Sequence, residues 1–291
     1  MLSICIPIYN FDITELVKNL HVQASDCNIP FEILLIDDAS EISFHNKNKL
    51  LSVFKNVDYI QLSENIGRSK IRNLLAKKAN YENLLFLDCD AALASNEYLK
   101  NYINRIGNYK IISGGRIYTS EPPAEDYYFH WYYGTKIETK SENFMSNNFL
   151  IKSHLWNEVQ FNEKISQYGH EDTLFQIELK RKGINIEIIN NPVIHIGLDK
   201  NQDFLSKNEK SVENLFFIVK SKLIYESEMS YFRLLLLYQK IKKLHLTFLF
   251  SFLYKNFNSK IKERLLKKKP NLFLFSIYKF VYFVFLNDQK E

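Results

Sequence analysis

The first 120 residues alternate two hydrophobic rhythms. Short apolar runs at Leu2–Ile8, Phe31–Ile36, Val57–Leu62 and Asn83–Asp90 are separated by stretches whose apolar residues recur every three or four positions. Runs of this length, apolar at consecutive positions, predict strands covered on both faces. Between them, Ile13, Leu16, Val17 and Leu20 predict a helix over Asp12–Ala24, Lys47–Phe54 predicts a second, and the segment after Gly67 a third. A helix over Asn96–Ile106 and a fifth strand over Lys110–Tyr118 follow. Strands alternating with helices predict a doubly wound α/β fold, a mostly parallel twisted sheet with the helices as crossovers.

The pattern then changes. Pro122-Pro123 interrupts the chain and Tyr127–Tyr133 is almost wholly aromatic. A short strand is predicted over Ser146–Ile151, a helix over Glu171–Leu179, and strands over Ile186–Ile189 and Pro192–His195. Beyond Asn201 the periodicity is helical, over Lys207–Ile224, Met229–Lys255 and Leu272–Leu286. The expected organisation is an α/β domain over 1–200, with halves 1–118 and 119–200, and a helical C-terminal region over 201–291.

Composition narrows the class. With 46% hydrophobic and 24% charged residues, the 291-residue chain is globular. Three cysteines without a Cys-x-x-Cys pair argue against a disulfide framework and a zinc cluster, and fit a reducing compartment. The strand-like start has no charged region ahead of it, so no export signal is expected. The net charge of +5 conceals an asymmetry: Met229 to Glu291 holds 13 Lys and Arg against 3 Asp and Glu, and the rest of the chain is acidic. The apolar runs Leu244–Tyr254 and Leu272–Leu286 fall short of the roughly 20 residues a membrane span needs. The tail is therefore expected on an anionic bilayer surface, with Lys267, Lys268 and Lys269 facing headgroups and Phe273, Phe275, Tyr278, Phe280, Tyr282 and Phe283 turned into the lipid. A helical packing or dimerisation domain is the other reading of that tail, the latter making a homo-oligomer. Nucleic acid is not expected, because the folded part is acidic and no recognition motif accompanies the tail.

Candidate chemistry gathers at strand exits. Asp88 and Asp90 share a face at the end of an apolar strand, and two carboxylates there are stable beside a cation; hard oxygen ligands suit Mg²⁺ or Mn²⁺. The carboxyl ends of strands in an open α/β sheet are also where ligands bind. Asp37-Asp38 ends the second strand in the same way. Gly67 leads into a helix bearing Arg68, Lys70 and Arg72, a place to meet phosphate or simply a basic solvated face. Glu171 and Asp172 stand in the first turn of a helix, where capping also favours acids. The aromatic segment with Trp131 and Tyr132 suits stacking on sugar rings and equally suits a core.

Taken in order, Ile6-Pro7-Ile8-Tyr9-Asn10, Asp37-Asp38-Ala39-Ser40, Asn65-Ile66-Gly67-Arg68 with Arg72-Asn73, Asp88-Cys89-Asp90, Glu171-Asp172 and His195 resemble the inverting glycosyltransferases of family 2, which have the GT-A fold. The stretch from Asn147 to Leu198 is similar to bacterial members that build surface polysaccharides. The resemblance implies a nucleotide-sugar donor, UDP-linked and of hexose type, a glycan or lipid-linked glycan acceptor, and Mn²⁺ or Mg²⁺ as cofactor. It implies that Pro7 and Tyr9 form the base pocket, Asp38 bonds the base, and Arg68 and Arg72 contact the nucleotide. Asp88 would meet ribose or metal, Asp90 would ligate the metal and His195 would complete its site. Asp172 would be the catalytic base, with Trp131, Tyr132, Asn147, Asn148 and Glu171 toward the acceptor. The family more often has Gly where Ala39 stands. The implied place of work is the cytoplasmic face of the cell membrane, as a peripheral protein. Two rival readings are a sugar-nucleotide nucleotidyltransferase, against which stands the lack of a Gly-rich loop after the first strand, and a silent membrane-bound scaffold.

Overall fold

The computed structural model describes residues 1–140, 144–165 and 168–289. In chain order the elements are β1 (Leu2–Ile8), α1 (Thr14–Asp26), β2 (Phe31–Asp37), α2 (Ile42–Asn48), β3 (Val57–Gln61), α3 (Arg68–Lys78), β4 (Asn83–Leu87), β5 (Ala91–Leu93), α4 (Tyr98–Ile103), β6 (Ile111–Ser113) and β7 (Arg116–Ile117). There follow α5 (Tyr128–Lys136), β8 (Asn148–Lys152), α6 (Ser153–Trp156), α7 (Glu171–Arg181), β9 (Glu187–Ile188), β10 (Val193–His195), α8 (Asn201–Lys220), α9 (Arg233–Lys243), α10 (Thr247–Leu265) and α11 (Leu272–Asp288).

Two compact units emerge. The first comprises Met1–Ser120, Ile137–Ser166 and Glu171–Gly197; the second comprises Glu121–Lys136, Gln167–His170 and Leu198–Glu291. The division departs from the expected 1–200 and 201–291 in that the aromatic helix α5 and the residues before α7 go with the helical unit.

The first unit is built on a seven-stranded sheet of order β3-β2-β1-β4-β8-β6-β9, with a three-stranded sheet of order β5-β10-β7. Strands β1 to β4 run parallel, as the apolar runs predict, while β8 pairs antiparallel with both β4 and β6. Both faces of β1 are covered, and the two-residue period sorts its side chains. Ile4, Ile6 and Ile8 pack with Leu16, Val17 and Leu20 of α1, whereas Cys5 faces Ile71 and Leu75 of α3 with Phe149, Trp156 and Phe175. The predicted strand over Lys110–Tyr118 is instead two short strands in different sheets, β6 and β7. Gly114-Gly115 lies between them, and Gly115 takes φ +74°, so the chain turns where continuous apolar spacing suggested none.

Ala39 adopts φ +60° at the exit of β2. A left-handed L-residue costs about 1–2 kcal/mol, and glycine gives back about 0.5–1 kcal/mol through its looser unfolded chain. Ala39→Gly is therefore expected to raise stability by about 0.5–1 kcal/mol and the melting midpoint by about 1–3 °C. A lowered midpoint would contradict this account of the turn.

The second unit packs α8, α10 and α11 together. Phe275, Tyr278, Phe280 and Phe283 of α11 are buried, and the Tyr278 and Tyr282 hydroxyls bond Glu209 and Glu213 of α8. This corrects the expectation that these aromatic residues face lipid: they make the unit's own core, and of the six only Phe273 is exposed. The long helix predicted over Met229–Lys255 breaks at Leu244–Leu246, where His245 takes φ +56°, and gives α9 and α10. Among the described residues no helix is long and apolar enough to cross a membrane.

Candidate active site

The carboxyl ends of β1, β2 and β4 meet where the strand order diverges, β2 lying on one side of β1 and β4 on the other. Ligands of open α/β sheets bind at such a point. The parallel register opposes Ile8 to Asp37, so the loops after β1 and β2 emerge as neighbours. They are stitched together: the Asn10 amide donates to Ser40 Oγ at 2.8 Å and the Glu41 amide donates to Asn10 Oδ1 at 2.8 Å. Tyr9 stands exposed on this rim and Pro7 is half-buried.

Asp38 is buried and accepts from the amides of Ile66 at 2.7 Å and Gly67 at 3.0 Å. Burial raises its pKa, and the two amides oppose that rise. Its carboxylate thus anchors the turn that launches α3. Gly67, at φ +85°, supplies the backbone conformation that this turn requires.

From α3, Arg72 reaches Asp88 at 2.5 Å and Arg68 reaches it at 3.4 Å. The Arg72 guanidinium is buried over the Phe161 ring. Two protein cations therefore neutralise Asp88, and a shared metal with Asp90 is not needed to hold that carboxylate in place. The two guanidinium groups are the partners that the structure gives Asp88.

Asp90 turns elsewhere. Antiparallel pairing of β10 with β5 sets His195 opposite Ala91, which brings His195 Nδ1 to 3.5 Å from Asp90. Burial disfavours the Asp90 charge, but the hydrogen bond and charge of His195, with Arg68 and Arg116, hold its pKa down to about 2. Gly197 closes on the same carboxylate, since a Cβ there would lie 2.5 Å from the Asp90 Cβ. Among the described residues no group of three or more His, Cys, Asp or Glu makes a complete metal cage. Asp90 and His195 offer one carboxylate and one imidazole, a donor set that fits a divalent ion completing its shell with substrate phosphates.

At the start of α7, Glu171 is buried and pairs with Arg68 Nε at 3.6 Å, so Arg68 bridges Asp88 and Glu171. Half-buried Asp172 accepts from the Thr173 amide at 2.8 Å. Its pKa is raised to about 6, first by burial and then by the Glu171 charge, against the pull of the Thr173 amide, Arg116 and Arg68. A carboxylate so tuned can take a proton near neutral pH.

Two further groups belong here that the sequence reading passed over. Arg116 on β7 acts on both Asp90 and Asp172 and pairs with Glu138 at 3.6 Å. Tyr118 donates to Glu138 and sets its ring edge-on to His195 at 5.4 Å. The available signal was a cation directly after Gly114-Gly115 inside an apolar stretch.

The acceptor candidates divide. Asn148 is corrected to a core residue: its Oδ1 accepts from Tyr98 and Tyr102, and its Nδ2 donates to the Gly115 and Asn191 carbonyls. Its hydrogen-bonding capacity is spent, so none remains for an acceptor. Asn147 is buried beside Asp88, whose amide bonds the Asn147 carbonyl at 3.0 Å; its Oδ1 has no hydrogen-bond partner among the described residues. Trp131 and Tyr132 are half-buried on α5 of the helical unit, with Tyr132 stacked on Tyr128.

Residues 3–166 match the family model for glycosyl transferase family 2. Among solved structures, the fold is similar to PcManGT, a mannosyltransferase from Pyrobaculum calidifontis in complex with GDP-Man and Mn²⁺, at 12% identity and TM-score 0.62, over 100% of this chain and 88% of that one. S. aureus TarS 1–349 in complex with UDP-GlcNAc is similar at 18% identity and TM-score 0.53, over 99% of this chain and 91% of that one. A longer TarS chain matches at 20% identity and TM-score 0.51 over 74% of this chain, which spans only 39% of its length. No curated protein matches the sequence.

Proposed function

The chain belongs to glycosyl transferase family 2, and we propose that it moves a hexose-type sugar from a UDP-linked donor to a hydroxyl of a growing, lipid-carried surface glycan, with inversion. The reading rests above all on one gathering of groups: the proton-accepting Asp172, the Arg68 bridge and the Asp90–His195 pair around a strand-end site.

Each residue then has a task. Tyr9 and Pro7 flank the base, and Asp38 fixes the turn beside it. Arg68 and Arg116 supply positive charge for the diphosphate. Asp90 and His195 would hold Mn²⁺ or Mg²⁺, whose Lewis acidity stabilises a leaving diphosphate. Asp172 takes the proton of the acceptor hydroxyl as that oxygen attacks the anomeric carbon. The bond to the diphosphate breaks on the opposite face, so one displacement inverts the centre; inverting hydrolysis follows the same logic with water. Asn147 and Glu171 are the acceptor candidates of the α/β unit. The protein works as a peripheral membrane protein on the cytoplasmic face.

The test is thermal stabilisation across UDP-, GDP-, dTDP- and CMP-sugars, with and without Mn²⁺. A ligand that binds the native state raises apparent stability. The expected result is a Mn²⁺-dependent rise with UDP-sugars that Asp90→Asn abolishes. Folded protein that responds to none of them would favour the silent scaffold.

Transfer should also depend on pH. Asp172 must be ionised to accept a proton and its pKa is about 6, so the rate is expected to be level above about pH 7 and to fall about tenfold per unit well below pH 6. A rate unchanged down to pH 4.5 would remove Asp172 as the base.

A further inference from the structure

Helices α9 and α10 each carry two apolar faces, and the core of the helical unit uses one. Inward, Leu234, Tyr238, Ile241, Phe250 and Tyr254 pack against Phe280, Val281 and Val284 of α11. Outward, Leu237, Leu244, Phe248, Leu249, Phe252 and Leu253 are exposed by 41 to 63%. Positions 248, 249, 252 and 253 follow helical spacing, so they form one stripe, which Leu244 continues into the α9–α10 connection. A contiguous apolar surface of this kind marks an interaction site, unlike apolar residues scattered singly.

Charge says what covers it. From Met229 to Lys262 the chain has seven Lys and Arg and no Asp or Glu. Lys240, Lys242, Lys243 and Lys255 are all exposed around the stripe. Apolar side chains rimmed by these lysines complement a surface that is apolar within and anionic at its rim.

We propose that the outer face of the α9–α10 hairpin docks this protein on an anionic lipid bilayer, with Leu244, Phe248, Leu249, Phe252 and Leu253 entering the headgroup boundary and the lysines lying along the phosphates. The proposal deepens the reading of a transferase at a lipid surface, and rests on it only for its biological setting. It also moves the contact away from α11, whose aromatic residues are already used in the core.

The test is sedimentation of the full chain with phosphatidylglycerol vesicles and with phosphatidylcholine vesicles, alongside light scattering for mass. Binding to phosphatidylglycerol alone, weakened by salt, is expected. Phe248→Ser with Phe252→Ser should weaken it about 10²-fold, and Lys242→Glu with Lys243→Glu at least about tenfold. All four side chains are on the surface, so both variants should fold. Absence of binding by the folded wild type, equal binding to both lipids, or undiminished binding by the phenylalanine variant would overturn the proposal. So would a wild-type dimer that the phenylalanine variant dissociates, which would give the face to a second copy. Donor-induced stabilisation of the same variants reports on the strand-end site separately, so its failure counts against the transferase reading and leaves the docking face untouched.

Discussion

Asp172→Asn is expected to lower transfer by about 10²–10⁴-fold while donor binding survives. The amide keeps the size and most of the hydrogen bonding of the carboxylate, including acceptance from the Thr173 amide, but cannot take a proton. Donor contacts proposed for the β1, β2 and β4 ends do not involve it, so donor-induced stabilisation should match the wild type. A second signature separates this from a folding defect. The Asp172 pKa is raised from 3.8 to about 6, so the native state binds its proton more tightly than the unfolded chain. Stability from this group therefore falls as pH rises through the interval from about 4 to 6, and stays lower above it. Asn carries no charge to desolvate. The variant should melt above the wild type at pH 8, and the difference should close below pH 4. Turnover near the wild-type level would remove Asp172 as the base, and a lowered melting point at pH 8 would contradict the burial argument.

Arg72→Met should cost about 3–5 kcal/mol of stability, because it leaves a carboxylate in the interior without its main partner. Arg72 is 1% exposed, contacts Asp88 at 2.5 Å and donates to the Arg68 carbonyl at 3.3 Å. Met fills a comparable volume, so the loss measured is that of charge compensation and not of a cavity. Arg68, itself shared with Glu171, is the cation left to Asp88. Adding Asp88→Asn to Arg72→Met should restore much of the stability, since it removes the charge that lacked a partner. Urea unfolding of the single and double variants measures both effects. A single-variant loss below about 1 kcal/mol would show that Arg68 alone suffices, and no recovery in the double variant would show that Arg72 acts through packing.

Much of the α/β unit was legible because its strands are covered on both faces. Continuous apolar runs such as Leu2–Ile8 and Phe31–Ile36 have few alternatives as secondary structure, and β1 and β2 are found where those runs stand. Errors fell where local pattern carries little information. Lys110–Tyr118 reads as one strand because apolar spacing does not register a turn at Gly114-Gly115, and the two pieces join different sheets. Asn148 reads like a ligand-binding amide, yet it satisfies two tyrosines and two carbonyls brought from distant parts of the chain. The α11 aromatic residues are a lipid-facing set by composition and a core by packing.

The sequence by itself determined the kind of fold, the strand exits that carry carboxylates and the family to which their order points. These are matters of spacing along the chain, and spacing is all that a strand or helix needs in order to present one face. Tertiary structure decided the partnerships. Asp88 and Asp90 are alike in sequence, but α3 brings Arg72 and Arg68 to the first while pairing of β10 with β5 brings His195 to the second. Which apolar face stays outside was likewise decided by packing: α9, α10 and α11 are all rich in apolar residues in sequence, and it is the outer side of α9–α10 that remains uncovered. A charge takes its character from the groups within a few ångströms, and those groups are assembled by contacts between residues far apart in the chain.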